Sequence, residues 1–444
     1  MNYIDLTEKL VNRSLRLGAD AAEVYLQTSR NLSVRVRNAD IETVQEAASR
    51  GVGFRVFVDG RMGFSHCNDF DDKALDDTIR RAIAFARLTT PDENNVLPPD
   101  LPHVDIEGMY DPSIIEVPMD TKIGMALDLE RMAMADARVT HSSGASFGEG
   151  ESEVFIGNSN GILKSRKQSA CSVGVSVVAE KGDERNTGGE SSSRRFFKDL
   201  EDLEVIASKA SRKAWEMLDP RMISTQRAAV IFDPAVGRSL LGGIIAAING
   251  DRVNQGASFL RNRLDQQFAT SLLTIIDDGT RPGGMSSTPF DGEGVPTKRT
   301  VLVENGVLRS FIYNTQAATR AGVQSTGHAS RGGFTGLPGI STHNLWVEPG
   351  QHTPEQIIAN TRRGLLLKGV TGYGMNPVNG NYSGGATGFW IENGKIVHPV
   401  KGLTIAGSAE GMLNGIDMVG NDVDMTRGFT SPTIRVREMQ IGGA

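Results

Sequence analysis

The sequence predicts an α+β protein. Its N-terminal domain would be an antiparallel sheet with covering helices, and its C-terminal domain a glycine-rich, mostly antiparallel β domain, barrel- or sandwich-like, with a few helices. Two observations favour this class: amphipathic helices and short β-forming runs share the first half, and tight hairpin turns recur in the second, at Asn305-Gly306 and Asn393-Gly394. The predicted domains are residues 1–198 and 221–444, joined by a linking helix over 199–220.

The first half begins with a helix over about residues 6–17, where leucines recur at helical spacing. Short strands are then predicted at 23–28, 32–37 and 51–58, with Asp59-Gly60 as a hairpin turn. A second helix is predicted over about residues 75–86. A polar surface segment would follow over 89–120, and a third helix over 120–136. Further short strands are predicted near 138–147, 152–158, 161–167 and 170–180.

The second half follows a long helix over 203–218 and a strand at 228–232. Asp233 is a favoured N-cap and Pro234 suits the first helical position, so a helix is predicted to begin there, with Asn249-Gly250 as its stop. Val236, Leu240, Ile244 and Ile248 would form its buried stripe. Thr353 starts a capping-box helix that is predicted to end at 362–364.

Composition limits the function classes. The chain has 444 residues, a formal net charge of −6 and two cysteines, Cys67 and Cys171. We expect no direct nucleic-acid contact, because the acidic total repels phosphate. No apolar run is long enough to span a bilayer and no secretory signal is evident, so a cytoplasmic protein without membrane contact is expected. The two isolated cysteines disfavour a disulfide scaffold or a thiolate zinc site.

Residues 233–238 read Asp-Pro-Ala-Val-Gly-Arg. Asp233 could donate an oxygen to a metal, but Pro234 offers neither acid nor base, and the guanidinium of Arg238 is a permanent cation. The segment resembles, position for position, the His-Glu-Ala-Val-Gly-His zinc segment of the TldD/PmbA peptidase family. Similar family segments lie at 256–260, 274–278, 289–297 and 431–436, and 417–422 lacks the cysteine that completes the zinc set in the catalytic branch.

The resemblance implies the zinc-free TldE/PmbA branch. Such a subunit pairs with a zinc-bearing TldD-type subunit, and together they enclose a cavity that processes or degrades unfolded peptides. The resemblance therefore implies a non-catalytic chain with no cofactor or metal of its own, and zinc only in the partner. A homodimer is possible when the chain is isolated.

Two groups of residues are candidates for the peptide cavity or the subunit contact. Asp291 and Glu293 lie in a family-like segment, although Asp also suits the turn geometry there. Gly384 and Gly385 would permit close approach of an extended peptide, or belong to a surface loop. Seven histidines show no metal-pair spacing, and only the topology could gather His328, His343 and a carboxylate, so no metal site is assigned.

Two other functions remain open. One is an adaptor that modulates DNA gyrase through a small protein partner, which the family's older label of gyrase modulator suggests. The other is a homodimeric hydrolase that uses the clustered carboxylates Asp277, Asp291 and Glu293 as acid, base or cation ligands.

Overall fold

The computed structural model describes residues 2–443, apart from the side chain of Tyr373. The chain is α+β, as predicted, with one large sheet in its first half and a barrel in its second. No helix among the described residues is both long and apolar enough to cross a bilayer.

The described part of the first half contains five α-helices and six strands. In chain order they are α1 (Tyr3–Arg16), β1 (Ala21–Arg37), β2 (Asp40–Val58), β3 (Arg61–Cys67), α2 (Asp72–Leu88), α3 (Ser113–Glu116), α4 (Met119–Met134), β4 (Val139–Asn158), β5 (Leu163–Lys181), β6 (Glu184–Arg194) and α5 (Leu203–Trp215). The strands form one antiparallel sheet in the order β3-β2-β1-β4-β5-β6.

The strands are longer than the sequence predicted. The pairs 23–28 with 32–37, 138–147 with 152–158, and 161–167 with 170–180 are each parts of a single strand. At the first junction Ser29 is paired with both Ser49 and Ser152, so the ladder continues through polar residues. The alternation of apolar and polar residues ends where the strands extend beyond the hydrophobic cores. The backbone pairing between the strands continues past that point.

Helices cover the sheet at two places and bury two cores. Helices α1 and α2 pack on one part, and α4 and α5 on the other. Two strand glycines permit this close packing: a Cβ on Gly63 would lie 2.0 Å from the Ala82 carbonyl oxygen, and one on Gly188 would lie 2.2 Å from that of Ala210. The predicted linking segment 199–220 thus contains α5, which packs on β5 and β6.

The second half contains many more short elements. They are β7 (Gln226–Phe232), α6 (Gly237–Ala247), α7 (Gly250–Asn254), β8 (Ile275–Asp278), β9 (Arg299–Glu304), β10 (Val307–Leu308), α8 (Thr315–Ala321), β11 (Ala329–Ser330), β12 (Gly339–Ile340), β13 (Asn344–Val347), α9 (Pro354–Ala359), β14 (Arg363–Met375), β15 (Asn381–Glu392), β16 (Lys395–Ser408), α10 (Ala409–Asn414), β17 (Ile416–Val419), β18 (Phe429–Thr430) and β19 (Ile434–Gly442).

Five of these strands close into a barrel. The order is β16-β15-β14-β7-β19, and pairing of β19 with β16 completes the ring. A second sheet, β10-β9-β8-β13-β18, packs beside it, and both contribute to one large core that includes the buried stripe of α6. The two Asn-Gly turns adopt positive φ at both residues, 48° and 79° at 305–306 and 48° and 76° at 393–394, as their hairpins require.

Three helix boundaries differ from the prediction. Helix α6 begins at Gly237, after a turn over 234–236, because the Asp233 side chain bonds to the nearby backbone N–H of Ala235. Its predicted stop is instead the start of α7, since the Asn249 side chain caps that helix. The capping box of Thr353 is present, but α9 ends at Ala359 and residue 363 already begins β14.

Candidate functional site

The helix entrance, residues 233–238, connects β7 to α6. The Asp233 carboxylate accepts a hydrogen bond from the Ala235 backbone N at 3.0 Å and forms an ion pair with the Lys368 ammonium at 2.6 Å. Lys368 is adjacent because β14 runs parallel to β7. The exposed Arg238 guanidinium lies 5.0 Å from the ring centre of Phe429.

The donors at the helix entrance do not fit the zinc that the resemblance associates with this segment. Zinc sites use deprotonated thiolates, neutral imidazoles and carboxylates. Here the single carboxylate is bound by an ammonium group, and a guanidinium stands at the second ligand position. In the region 417–422, Asp417 pairs with Arg435 at 2.8 Å and Asp422 is hydrogen-bonded to Thr433. No catalytic step through a metal follows from this segment.

Asp291 and Glu293 lie at the junction between the two domains. Glu293 belongs to the junction network, which we define as Glu23, Arg55, Glu293 and Arg331. The Arg55 Nη2 atom lies 2.7 Å from Glu23 Oε2 and 2.9 Å from Glu293 Oε1, and Arg331 also pairs with Glu23. Each of the four side chains is at most 5% exposed. The network therefore ties β1 and β2 to the C-terminal domain.

The two carboxylates have pKa values displaced in opposite directions. Burial, and then the charge of Glu293, raise the pKa of Asp291 to about 7, although its oxygens accept backbone hydrogen bonds from 293, 295 and 329. Burial also opposes ionisation of Glu293, but Arg55 and the hydrogen bond from the Thr315 N–H outweigh it, so the pKa of Glu293 is lowered. Both Glu293 oxygens are thus occupied by protein donors.

A polar cleft of about 210 Å³ lies at the same junction. Its lining comes from both domains and includes Tyr25, Arg166, Asp291, Arg331, Ser341 and His343. Asp291 therefore reaches the cleft, whereas Glu293 does not contribute to the lining. The use of either residue in peptide binding or subunit contact stays a prediction.

Gly384 and Gly385 lie inside the barrel wall rather than in a loop. Both belong to β15, which is paired with β14 on one side and with β16 on the other. A Cβ on Gly385 would lie 2.4 Å from the Thr371 hydroxyl oxygen. The glycines here permit close packing of neighbouring strands, and a role toward peptide stays a prediction.

The topology assembles a cluster that sequence spacing did not assign. The His–Asp–His cluster consists of Asp277, His328 and His343. Asp277 Oδ2 lies 3.1 Å from His328 Nε2 and 3.0 Å from His343 Nδ1, and Asp277 Oδ1 accepts a hydrogen bond from the His343 backbone N at 2.7 Å. Among the residues described, it is the one group of three or more His, Cys, Asp or Glu side chains with metal-ligand spacing.

Burial opposes ionisation of Asp277, but the adjacent His328 and His343 imidazoles outweigh it and hold the pKa of this carboxyl below its usual value. Asp277 and His328 are almost fully buried, and His343 borders the cleft. The next residue, Ala329, donates its N–H to Asp291. The three carboxylates of the hydrolase hypothesis therefore form two sets, Asp277 on one side and Asp291 with Glu293 on the other. Asp277 contacts His328 and Asp291 contacts the next residue, Ala329.

The chain matches three family models along most of its length. They are the PmbA/TldA metallopeptidase domain 1 over residues 22–86, the central domain over 112–218 and the C-terminal domain over 225–443.

Known proteins resemble the chain over nearly its full length. Metalloprotease PmbA of Escherichia coli O157:H7 is 32% identical over 449 residues, covering 99% of this chain and 96% of that protein. A metalloprotease TldD homolog of Haemophilus influenzae is 25% identical, covering 96% and 93%. A crystal structure from Bacteroides thetaiotaomicron, of a candidate modulator of DNA gyrase, superposes with a TM-score of 0.90 at 27% identity, covering 99% and 98%.

Proposed function

Since the chain belongs to the PmbA/TldA metallopeptidase family, we propose that it is a TldE/PmbA-type subunit that works beside a zinc-bearing TldD-type subunit. The pair would process or degrade unfolded peptides. This chain would contribute part of the peptide cavity and stabilise its partner, and the catalytic zinc would be held by the partner.

The ion pair between Asp233 and Lys368 is the observation that carries this proposal. Asp233 carries the one carboxylate that remains at the family's zinc segment. In this chain that carboxylate joins the helix entrance to β14. Metal-dependent hydrolysis at this segment then requires a partner that supplies histidine ligands, because neutral imidazole and metal-bound water provide the chemistry.

The domain junction is our candidate for this chain's share of the peptide cavity. The cleft is lined by residues of both halves of the chain and presents the Arg166 guanidinium beside the hydroxyl of Ser341. Such groups suit the carbonyl oxygens and the terminal carboxylate of a peptide. Two cysteines without disulfide partners favour a reducing compartment, and we propose the cytoplasm.

Co-expression with a TldD-type protein tests the proposal. We expect a stable complex in which peptide cleavage requires both chains and is abolished by a chelator. Replacement of Asp233 or Arg238 by Ala in this chain should leave cleavage unchanged, whereas replacement of the partner's zinc ligands should abolish it. A partner that is fully active alone and forms no complex would refute the proposal, as would cleavage by this chain alone that is lost with Asp233→Ala.

A second candidate follows from the name of the Bacteroides relative, which links a similar structure to DNA gyrase. In that case this chain would act as an adaptor through a small protein partner, since its formal net charge of −6 disfavours direct DNA binding. Affinity capture that returns gyrase or a small gyrase-binding protein, and no TldD-type chain, would favour the adaptor over the peptidase subunit.

A further inference from the structure

The His–Asp–His cluster lies outside the helix entrance and has a chemistry that the proposed peptidase subunit does not use. Its three residues come from separate segments: Asp277 lies in β8, His343 directly precedes β13, and His328 lies between Gly327, which has a positive φ, and β11. Antiparallel pairing of β8 with β13 brings the first two together. Pairing within this sheet therefore positions Asp277 and His343.

The hydrogen bonds around His328 determine where its ring proton lies. The Nδ1 atom lies 3.0 Å from the Thr326 carbonyl oxygen, which can only accept a hydrogen bond. The Thr326 hydroxyl, 2.9 Å from the same nitrogen, accepts from the Tyr313 N–H and faces the Tyr313 carbonyl, which can take its proton. Nδ1 therefore carries the hydrogen, and Nε2 of a neutral ring carries a lone pair.

The lone pair of His328 Nε2 points toward the lone pairs of the Asp277 carboxylate. His328 Nε2 faces Asp277 Oδ2 at 3.1 Å, and the same oxygen faces His343 Nδ1 at 3.0 Å. In a site that is almost fully buried, an anionic oxygen next to an imidazole lone pair is unfavourable unless a positive charge lies between them. That charge is either an added proton on the ring or a metal ion.

We propose that Asp277 Oδ2, His328 Nε2 and His343 Nδ1 bind one divalent transition-metal ion of the Zn²⁺ type. Two ligands of a tetrahedral zinc ion lie about 3.3 Å apart, given bonds of about 2.0 Å. The two measured separations from the carboxylate oxygen are close to this value. Two imidazoles and one carboxylate favour zinc over magnesium or calcium, which prefer oxygen ligands throughout.

The surroundings supply the outer contacts that metal ligands require. The Thr326 carbonyl orients His328 through Nδ1, as is typical of metal-bound histidine. The His343 backbone N–H donates to Asp277 Oδ1, which fixes the carboxylate and leaves Oδ2 for the ion. Because His343 borders the cleft, a water molecule can fill the fourth position. The proposal differs from the expectation that this chain holds no metal of its own.

Cobalt titration of the untagged, chelator-stripped chain tests the site without reference to activity or to a partner. We expect one equivalent of Co²⁺ to produce the visible absorption of four-coordinate cobalt, and Zn²⁺ to displace it and raise the melting temperature. Absence of saturable absorption, together with absence of bound zinc in elemental analysis, would overturn the proposal and assign an added proton to the cluster.

Variants locate the binding. His343→Gln and His328→Gln should each weaken Co²⁺ binding by more than about 100-fold, since loss of an outer partner alone costs roughly 10–100-fold. His398→Gln is the matched control, because this half-buried histidine lies outside the cluster, with its Nδ1 3.1 Å from the Pro399 carbonyl oxygen, and the variant should bind cobalt like the unaltered chain. Unchanged binding in both cluster variants would refute the site.

If a variant fails to fold, anomalous scattering at the zinc edge from crystals of the unaltered chain tests the site instead. The anomalous peak must lie between the three proposed ligand atoms.

Discussion

The helix entrance and the domain junction differ in how their charged groups are stabilised. At the helix entrance, Asp233 and Lys368 are partly exposed, with 21% and 34% of their side chains accessible. At the junction, the network around Arg55 and the His–Asp–His cluster are almost entirely enclosed. The sequence motif therefore pointed to a region where charge contributes less to stability than at the junction, and the buried polar groups lie in segments without a local motif.

The largest expected effect is loss of the Arg55 guanidinium. Arg55→Met should lower the free energy of unfolding by about 3–5 kcal/mol, because Glu23 and Glu293 would stay buried with only Arg331 to compensate them. Urea denaturation measures the change. Arg30→Ala is the control, since its pair with Glu46 is 39% and 51% exposed and should contribute at most about 1 kcal/mol. Equal losses of unfolding free energy in the two variants would show that the buried pair stabilises the chain no more than the exposed pair does.

The second effect concerns the cluster. Asp277→Ala should destabilise the chain by about 2–4 kcal/mol, because the His343 backbone N–H loses its buried acceptor and both imidazoles lose the carboxylate oxygen that they contact. Thermal unfolding measures this. Its neighbour Asp278 bonds to Thr280 in a turn, so Asp278→Ala should cost about 1 kcal/mol. The reverse order would mean that the cluster is not a stabilising contact.

A third prediction concerns pH. The pKa of Asp291 is raised to about 7 in the folded chain, above its unfolded value of about 3.9, so its contribution to stability is full at low pH and is lost as pH rises through this interval. The asparagine variant Asp291→Asn has no such loss. Its stability relative to the unaltered chain should therefore increase by on the order of 1–2 kcal/mol between pH 5 and pH 7.

Urea midpoints of both proteins at the two pH values check this expectation. A difference that is constant across the interval would show that Asp291 is ionised throughout it.

The smallest effect is expected at the helix entrance. Lys368→Met removes the partner of Asp233 and should change the free energy of unfolding by less than about 1 kcal/mol, because both side chains are partly solvated. Cobalt binding should also be unchanged, since no histidine or thiolate is present there. A cobalt site that appears only in this variant would mean that the ammonium had been blocking a competent metal site.

Local chemistry was enough to predict much of the fold. The Asn-Gly turns at 305–306 and 393–394 adopt the positive φ angles that their sequence requires, and the stripe from Val236 to Ile248 is buried as expected. Strand lengths were underestimated because polar residues such as Ser29 remain in the ladder beyond the cores. The start of α6 was misplaced because the Asp233 side chain supports a turn rather than capping the helix.

The site was less predictable because it depends on contacts between distant segments. Asp277 is separated from His328 by 51 residues and from His343 by 66, and the pairing of β8 with β13 brings only Asp277 and His343 together. The available signals were weak: Asp277 follows the apolar pair Ile275-Ile276, and His343 precedes a short strand. Neither signal specifies the partner strand.

The junction network also determines the order in which the chain can mature during synthesis. Arg55 precedes Glu293 by 238 residues, and Glu23 precedes Arg331 by 308. At ribosomal rates of about 5–20 residues per second, Arg55 must wait on the order of ten to fifty seconds for its second carboxylate partner. During that interval this face of the nascent first domain must stay hydrated, so docking of the two domains is a late step in biogenesis.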